Sequence, residues 1–210
     1  CLFDLFERLP IATSIPSGRF TRGYSVLMSR AMRPVEICYA YLGDELLAEI
    51  VDILSSPQIK AVLKEGGLKV KLSGGFVTQK KRRATWSERI LAALEAENDD
   101  TASELLQQWL LNHQREVLVD YLDSLGVKHR AGETDDSFLF SKPADLLRQE
   151  GARLFERHPR GIVGAYLAYI AFQQKSNVFD DWAPLDAALL DAAPEERPAA
   201  TVESIAAAEE

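Results

Sequence analysis

The sequence predicts a mainly α protein, a single irregular helical bundle of about six or seven helices with one short β-hairpin allowed among them. Three observations predict it. Residues 101–125 carry a helix start signal, a stop signal and leucines throughout. A second Thr-x-x-Glu start, Thr85 with Glu88, precedes Trp86, Ile90, Leu91 and Leu94 at helical spacing. Residues 161–172 form an apolar run too short to cross a membrane, which reads as a buried helix.

Within 101–125, Thr101 and Glu104 make a capping box, in which hydroxyl and carboxylate each satisfy an orphan amide of the first turn. Gly126 supplies a left-handed residue past the end, and Val127 can fold back onto the last turn. Leu106, Leu110, Val117 and Tyr121 fall on one stripe, and Leu111, Leu118, Leu122 and Leu125 on another. A helix apolar over so much of its circumference is expected to be central, with neighbours on more than one side. The segment is therefore read as one uninterrupted helix around which the rest wraps.

The other elements follow in order. Residues 1–31 scatter Arg8, Arg19, Arg22 and Arg30 among Ser, Thr and Pro, and are expected to be a poorly ordered upstream or targeting region. The chain opens on Cys1, which reads as a truncated or processed start, with Met32 an alternative one. Gly43 and Asp44 open a helix whose apolar face carries Leu46, Leu47, Ile50, Val51 and Leu54. Ser55, Ser56 and Pro57 stop it and start another, with Ser56 as the cap and Pro57 at the first helical position, and Gly66 and Gly67 close it. Residues 68–79 alternate Leu68, Val70 and Leu72 with lysines before Gly74 and Gly75, a pattern that allows a hairpin or an extended connection. After the central helix comes a long connection, 127–141, then a helix from about Pro143 to Pro159, the apolar helix 162–173, and a last one from Trp182 to about Asp191. The helical domain is thus 32–193. Residues 194–210 are rich in Ala, Glu and Pro and too poor in apolar surface to order themselves.

Composition excludes more than it selects. The net charge is −8, yet from Asp180 onward there are nine acidic residues and one basic one, so the preceding body is neutral. A neutral body argues against strong nonspecific attraction to nucleic acid. Two cysteines make no secreted disulfide framework, Cys38 reads as a buried inert thiol, and a cytoplasmic location fits. No phosphate loop, dinucleotide fingerprint, nucleophile elbow, zinc helix or paired-cysteine motif occurs, and no cofactor is expected.

Two constellations are candidate sites. His113, Glu116 and Asp120 point within roughly 60° of one another on a continuous helix. An imidazole and two carboxylates there could hold a divalent metal or act as an acid–base pair, given donors from a facing helix such as Glu150, Glu156 or His158. Lys80, Lys81, Arg82 and Arg83 form a basic run, read as a loop before the Thr85 helix start, with Lys69, Lys71 and Trp86 near it. Clustered cations beside an aromatic bind phosphates and stack on bases, so this is the candidate nucleic-acid contact. The 127–141 connection, with His129, Arg130, Glu133, Asp135 and Asp136, lacks calcium-loop spacing and reads as a plain or disordered surface loop. Gly161, Gly164, Ala165 and Ala168 are spaced to let another helix pack closely, or to form a dimer face. With no catalytic signature, the leading expectation is a non-enzymatic helical protein working through protein–protein contacts, with a protein partner or a second copy. Nucleic-acid association and a metal- or acid–base-dependent enzyme are the alternatives.

Overall fold

The computed structural model describes residues 32–71, 78–134 and 137–192. The expectations for 1–31 and 194–210, and for the turn of the hairpin at 72–77, lie outside the described residues. Within them the chain is mainly helical. Helix α1 (Pro34–Ile37) runs into a π-helical segment (Cys38–Leu42), then α2 (Gly43–Ile53), α3 (Ser56–Glu65), α4 (Gln79–Glu95), α5 (Asp99–His113) and α6 (Arg115–Ser124). After a long connection follow α7 (Phe138–Ser141), α8 (Ala144–Arg157), α9 (Arg160–Gln173) and α10 (Ala183–Ala192). The only β-type pairing among the described residues is an isolated bridge between Arg130 and Glu133. No helix among them is long and apolar enough to cross a membrane.

Local chemistry explains most boundaries. Ser55 caps α3 together with Gln58, one residue earlier than Ser56, and Pro57 sits in the first turn where its missing amide costs nothing. Gly67, at φ +69°, closes α3 in a Schellman motif, with Leu68 N–H on the Leu63 carbonyl at 2.7 Å. Gly126 does the same for α6, and Val127 donates to the Leu122 carbonyl at 2.9 Å, as its position in the sequence predicts. Glu97 and Lys175 close α4 and α9 in the same left-handed geometry without being glycine.

Three expectations need correction. The central helix is broken at Gln114, whose φ of −123° and ψ of 26° are not helical. The Leu111 carbonyl there accepts from the Arg115 guanidinium Nε at 3.0 Å, so the break leaves it satisfied. Thr101 is not the cap: Asn98 accepts the Thr101 amide at 2.9 Å, Asp99 and Asp100 occupy the first turn, and Thr101 is buried. Helix α4 starts at Gln79, capped by Thr78, so the basic run lies in its first two turns and not in a loop.

Packing is organised on two helices. Helix α5 meets α1, α3, α4, α6 and α9, while α9 meets α1, the π-helical segment, α5, α8 and α10. Every residue from Val163 to Tyr169 is buried. The small residues of α9 receive the π-helical segment of the same chain. A Cβ on Gly164 would stand 2.4 Å from the Tyr41 ring, and one on Gly161 2.7 Å from the Tyr41 carbonyl oxygen. On α8, Gly151 likewise admits Trp182, which stacks at a tilt on Phe179 with centroids 5.4 Å apart. Burying a large apolar side chain such as Leu167 contributes about 1.5–3 kcal/mol.

Candidate functional site

The break at Gln114 sets α5 and α6 as two walls of a groove. Leu110 and Leu111 come from α5, Leu118 and Leu122 from α6, and Tyr166, Tyr169 and Ile170 from α9. Arg130, Gly132, Glu133, Thr134 and Ser137, with Phe138 of α7, supply the remaining side, and the cavity holds about 700 Å³. Its lining is apolar at the base and carboxamide-rich at the rim, where Gln107 and Gln173 are exposed and Gln174 half-buried. Cavities of several hundred Å³ with an apolar floor and a few placed polar groups are the usual form of a binding site.

Hydrogen bonds fix the walls. Tyr169 donates to the Ser103 carbonyl at 3.0 Å and accepts from Gln173 Nε2 at 2.6 Å. Burial raises its hydroxyl pKa, and the side-chain hydrogen bonds with Gln173 and with the Ser103 hydroxyl, at 3.2 Å, partly offset that. Gln174 Oε1 accepts the Leu139 amide at 3.0 Å and so ties α7 to the end of α9. Below the groove Tyr121 meets Tyr166 edge-on at 5.8 Å and Phe138 at 6.2 Å, and donates to the Leu147 carbonyl at 3.1 Å. The described part of the 127–141 connection is a largely exposed turn held by its own hydrogen bonds, followed by α7. His129 Nδ1 accepts the Gly132 amide at 3.1 Å, its Nε2 reaches Asp123 at 3.0 Å, and Thr134 donates to the Lys128 carbonyl at 3.0 Å.

The candidate metal residues do not converge. His113 and Glu116 are exposed on either side of the break. Asp120 turns to the end of α8, where His158 Nε2 lies at 2.9 Å and the Arg157 guanidinium at 3.2 Å. Of the expected facing donors, Glu150 is buried against Arg153 at 2.6 Å. Among the described residues no group of three or more His, Cys, Asp or Glu side chains could hold a metal ion.

The basic run divides. Arg83 donates to the carbonyls of Asp52 and Leu54, the latter at 2.6 Å, and so closes the C-terminal end of α2. Trp86 is 5% exposed, and its indole N–H donates to the Val70 carbonyl at 2.9 Å, which makes it a core anchor for the 68–71 segment. Lys80, Lys81 and Arg82 are exposed. Arg82 lines a second recess of about 320 Å³ with Ser56, Lys60, Gln79 and Trp86.

Sequence reasoning missed the groove. Its rim glutamines are Gln107 and the Gln173-Gln174 pair, which stand sixty-six residues apart. Only the packing of α5 on α9 brings them to one opening. Fold and groove together define a helical protein with an open amphipathic cleft. Compared with known proteins, the chain matches no family model, no curated protein and no solved structure.

Proposed function

We propose that the protein is a non-enzymatic binding module that takes an apolar segment of a partner protein in the α5–α6–α9 groove. The observation that carries this is the lining itself: leucines, an isoleucine and tyrosine rings on the floor, carboxamides on the rim. Such a floor suits the apolar anchors of a short peptide or helix, and carboxamides both donate to and accept from an incoming backbone. The rim offers one guanidinium, Arg130, and one carboxylate, Glu133, with no nucleophile–base pair among the lining side chains. A cytoplasmic setting belongs to the same proposal, since the buried Cys38 thiol needs no oxidising compartment.

Panning a displayed peptide library against the folded protein tests the reading. Enriched peptides are expected to carry spaced apolar anchors and to shift backbone amides of α5, α6 and α9. Leu111→Arg or Ile170→Arg should weaken them by about tenfold or more, the scale of losing one interface anchor, with the far-ultraviolet spectrum unchanged. Failure to enrich any peptide, or binding indifferent to both variants, would sink the proposal.

A further inference from the structure

The recess at the starts of α3 and α4 has a composition that the groove does not. Its lining is Ser56, Lys60, Gln79, Arg82 and Trp86. Two of the five are cations, two are neutral hydrogen-bonding groups, and none is a carboxylate. Neither Lys60 nor Arg82 forms an ion pair among the described residues. Lys60 Nζ sits over the Trp86 ring, 5.6 Å from its centroid, a contact that positions the ammonium without neutralising it. Holding two like charges at one concavity is unfavourable by itself, and an anion between them reverses the sign. Two further features add to the positive field. Helices α3 and α4 both begin at this recess, and neither carries an acidic residue in its first turn.

The neighbouring residues decide what kind of anion fits. A nucleic-acid strand needs cations tracking along the surface and an open aromatic face for its bases. Here Trp86 is buried with its N–H committed to Val70, and Arg83 is committed to the end of α2. Lys80 and Lys81 are exposed but do not line the recess, which itself offers a concave pair of cations with a hydroxyl and a carboxamide beside them, suited to one compact group of high charge. Arg82 offers a planar fork to two oxygens and Lys60 a point charge to a third. We propose that this recess binds the phosphate monoester group of a small molecule, with Lys60 and Arg82 as the paired cations and Gln79 and Ser56 as neutral donors. The site is independent of the α5–α6–α9 groove.

Titration of the ¹⁵N-labelled full chain with inorganic phosphate and with O-phosphoserine, each against chloride at equal ionic strength, tests it. Saturable shifts are expected at the Trp86 indole N–H and at the amides of Gln79 and Lys60. Lys60→Gln and Arg82→Gln, both at exposed positions, should each weaken that binding by about tenfold or more, the scale of one charge-assisted hydrogen bond. Shifts that merely follow ionic strength, or that both variants leave intact, overturn the assignment. So does an oligothymidylate that moves the same resonances at lower concentration than either monoester, because a diester strand is then the better ligand.

Discussion

Thr101 stands at a position where two start signals overlap. Its pairing with Glu104 has the capping-box spacing, but Asn98 lies three residues earlier and is followed by Asp99 and Asp100. The earlier start wins because it adds a turn of helix, places two carboxylates at the positive end, and lets Asn98 Nδ2 reach the Gly66 carbonyl at 3.2 Å. Glu104 is left to accept from Gln108 at 2.9 Å. Thr101 then becomes a core residue pressed on Gly66, where a Cβ would stand 2.1 Å from its hydroxyl oxygen. That oxygen is buried without a hydrogen-bond partner. An orphaned buried hydroxyl costs about 1–3 kcal/mol, whereas Thr and Val have similar helix propensity. Thr101→Val is therefore expected to stabilise the fold by about 1 kcal/mol, seen as a thermal midpoint roughly 2–4 °C higher. A lower midpoint in circular dichroism would mean that the hydroxyl has a role this geometry does not assign to it.

Among the elements, the break between α5 and α6 has the largest consequence. The hydrophobic phase runs through it undisturbed: Leu110 leads to Val117 and Leu111 to Leu118, each seven residues on. A pattern that continues in phase cannot reveal a kink, so the sequence reads as one rod. The local signal is weak, two poor helix formers at Asn112 and His113 just before Gln114. What holds the bend is the connection seated in it. Gly132, at φ +92°, lies against α6 so closely that a Cβ would be 3.1 Å from Leu118 Cβ. Gly132→Ala combines a strained backbone with an overpacked contact and is expected to cost about 1–3 kcal/mol. The loss should be local, read as faster tryptic cleavage after Lys128 and Arg130 while the rest of the chain stays resistant. Equal cleavage rates in the variant and the parent would show that the groove wall does not depend on this seat.

At the scale of the whole molecule, four phenols are buried in the core of the described residues. Tyr41, Tyr121, Tyr166 and Tyr169 span the π-helical segment, α6 and α9, and burial pushes all four hydroxyls above tyrosine's ordinary value of about 10. Above that pH the unfolded chain gives up these protons while the folded one keeps them. The contribution of the four phenols is thus fully present below pH ~10 and is lost as pH rises beyond it. Alkaline unfolding is expected to be cooperative, with tyrosinate absorbance at 295 nm rising together with the loss of helical ellipticity. Ionisation well before that loss would show that the phenols reach solvent in the native state.

The mainly α class, the Gly66-Gly67 and Gly126 stops, the starts near Ser55 and Pro143, and the buried state of Cys38 and α9 were legible in the sequence. Each is decided within a turn or two of chain, by caps, by glycine's left-handed freedom or by a run of apolar residues. The bend at Gln114, the recruitment of Arg83 and Trp86 into the scaffold, the union of Lys60 with Arg82, and the meeting of Gln107 with the distant Gln173-Gln174 pair at one groove were decided only by tertiary structure. These depend on which helix lies beside which, and a local pattern of charge or hydrophobicity is the same whichever neighbour arrives.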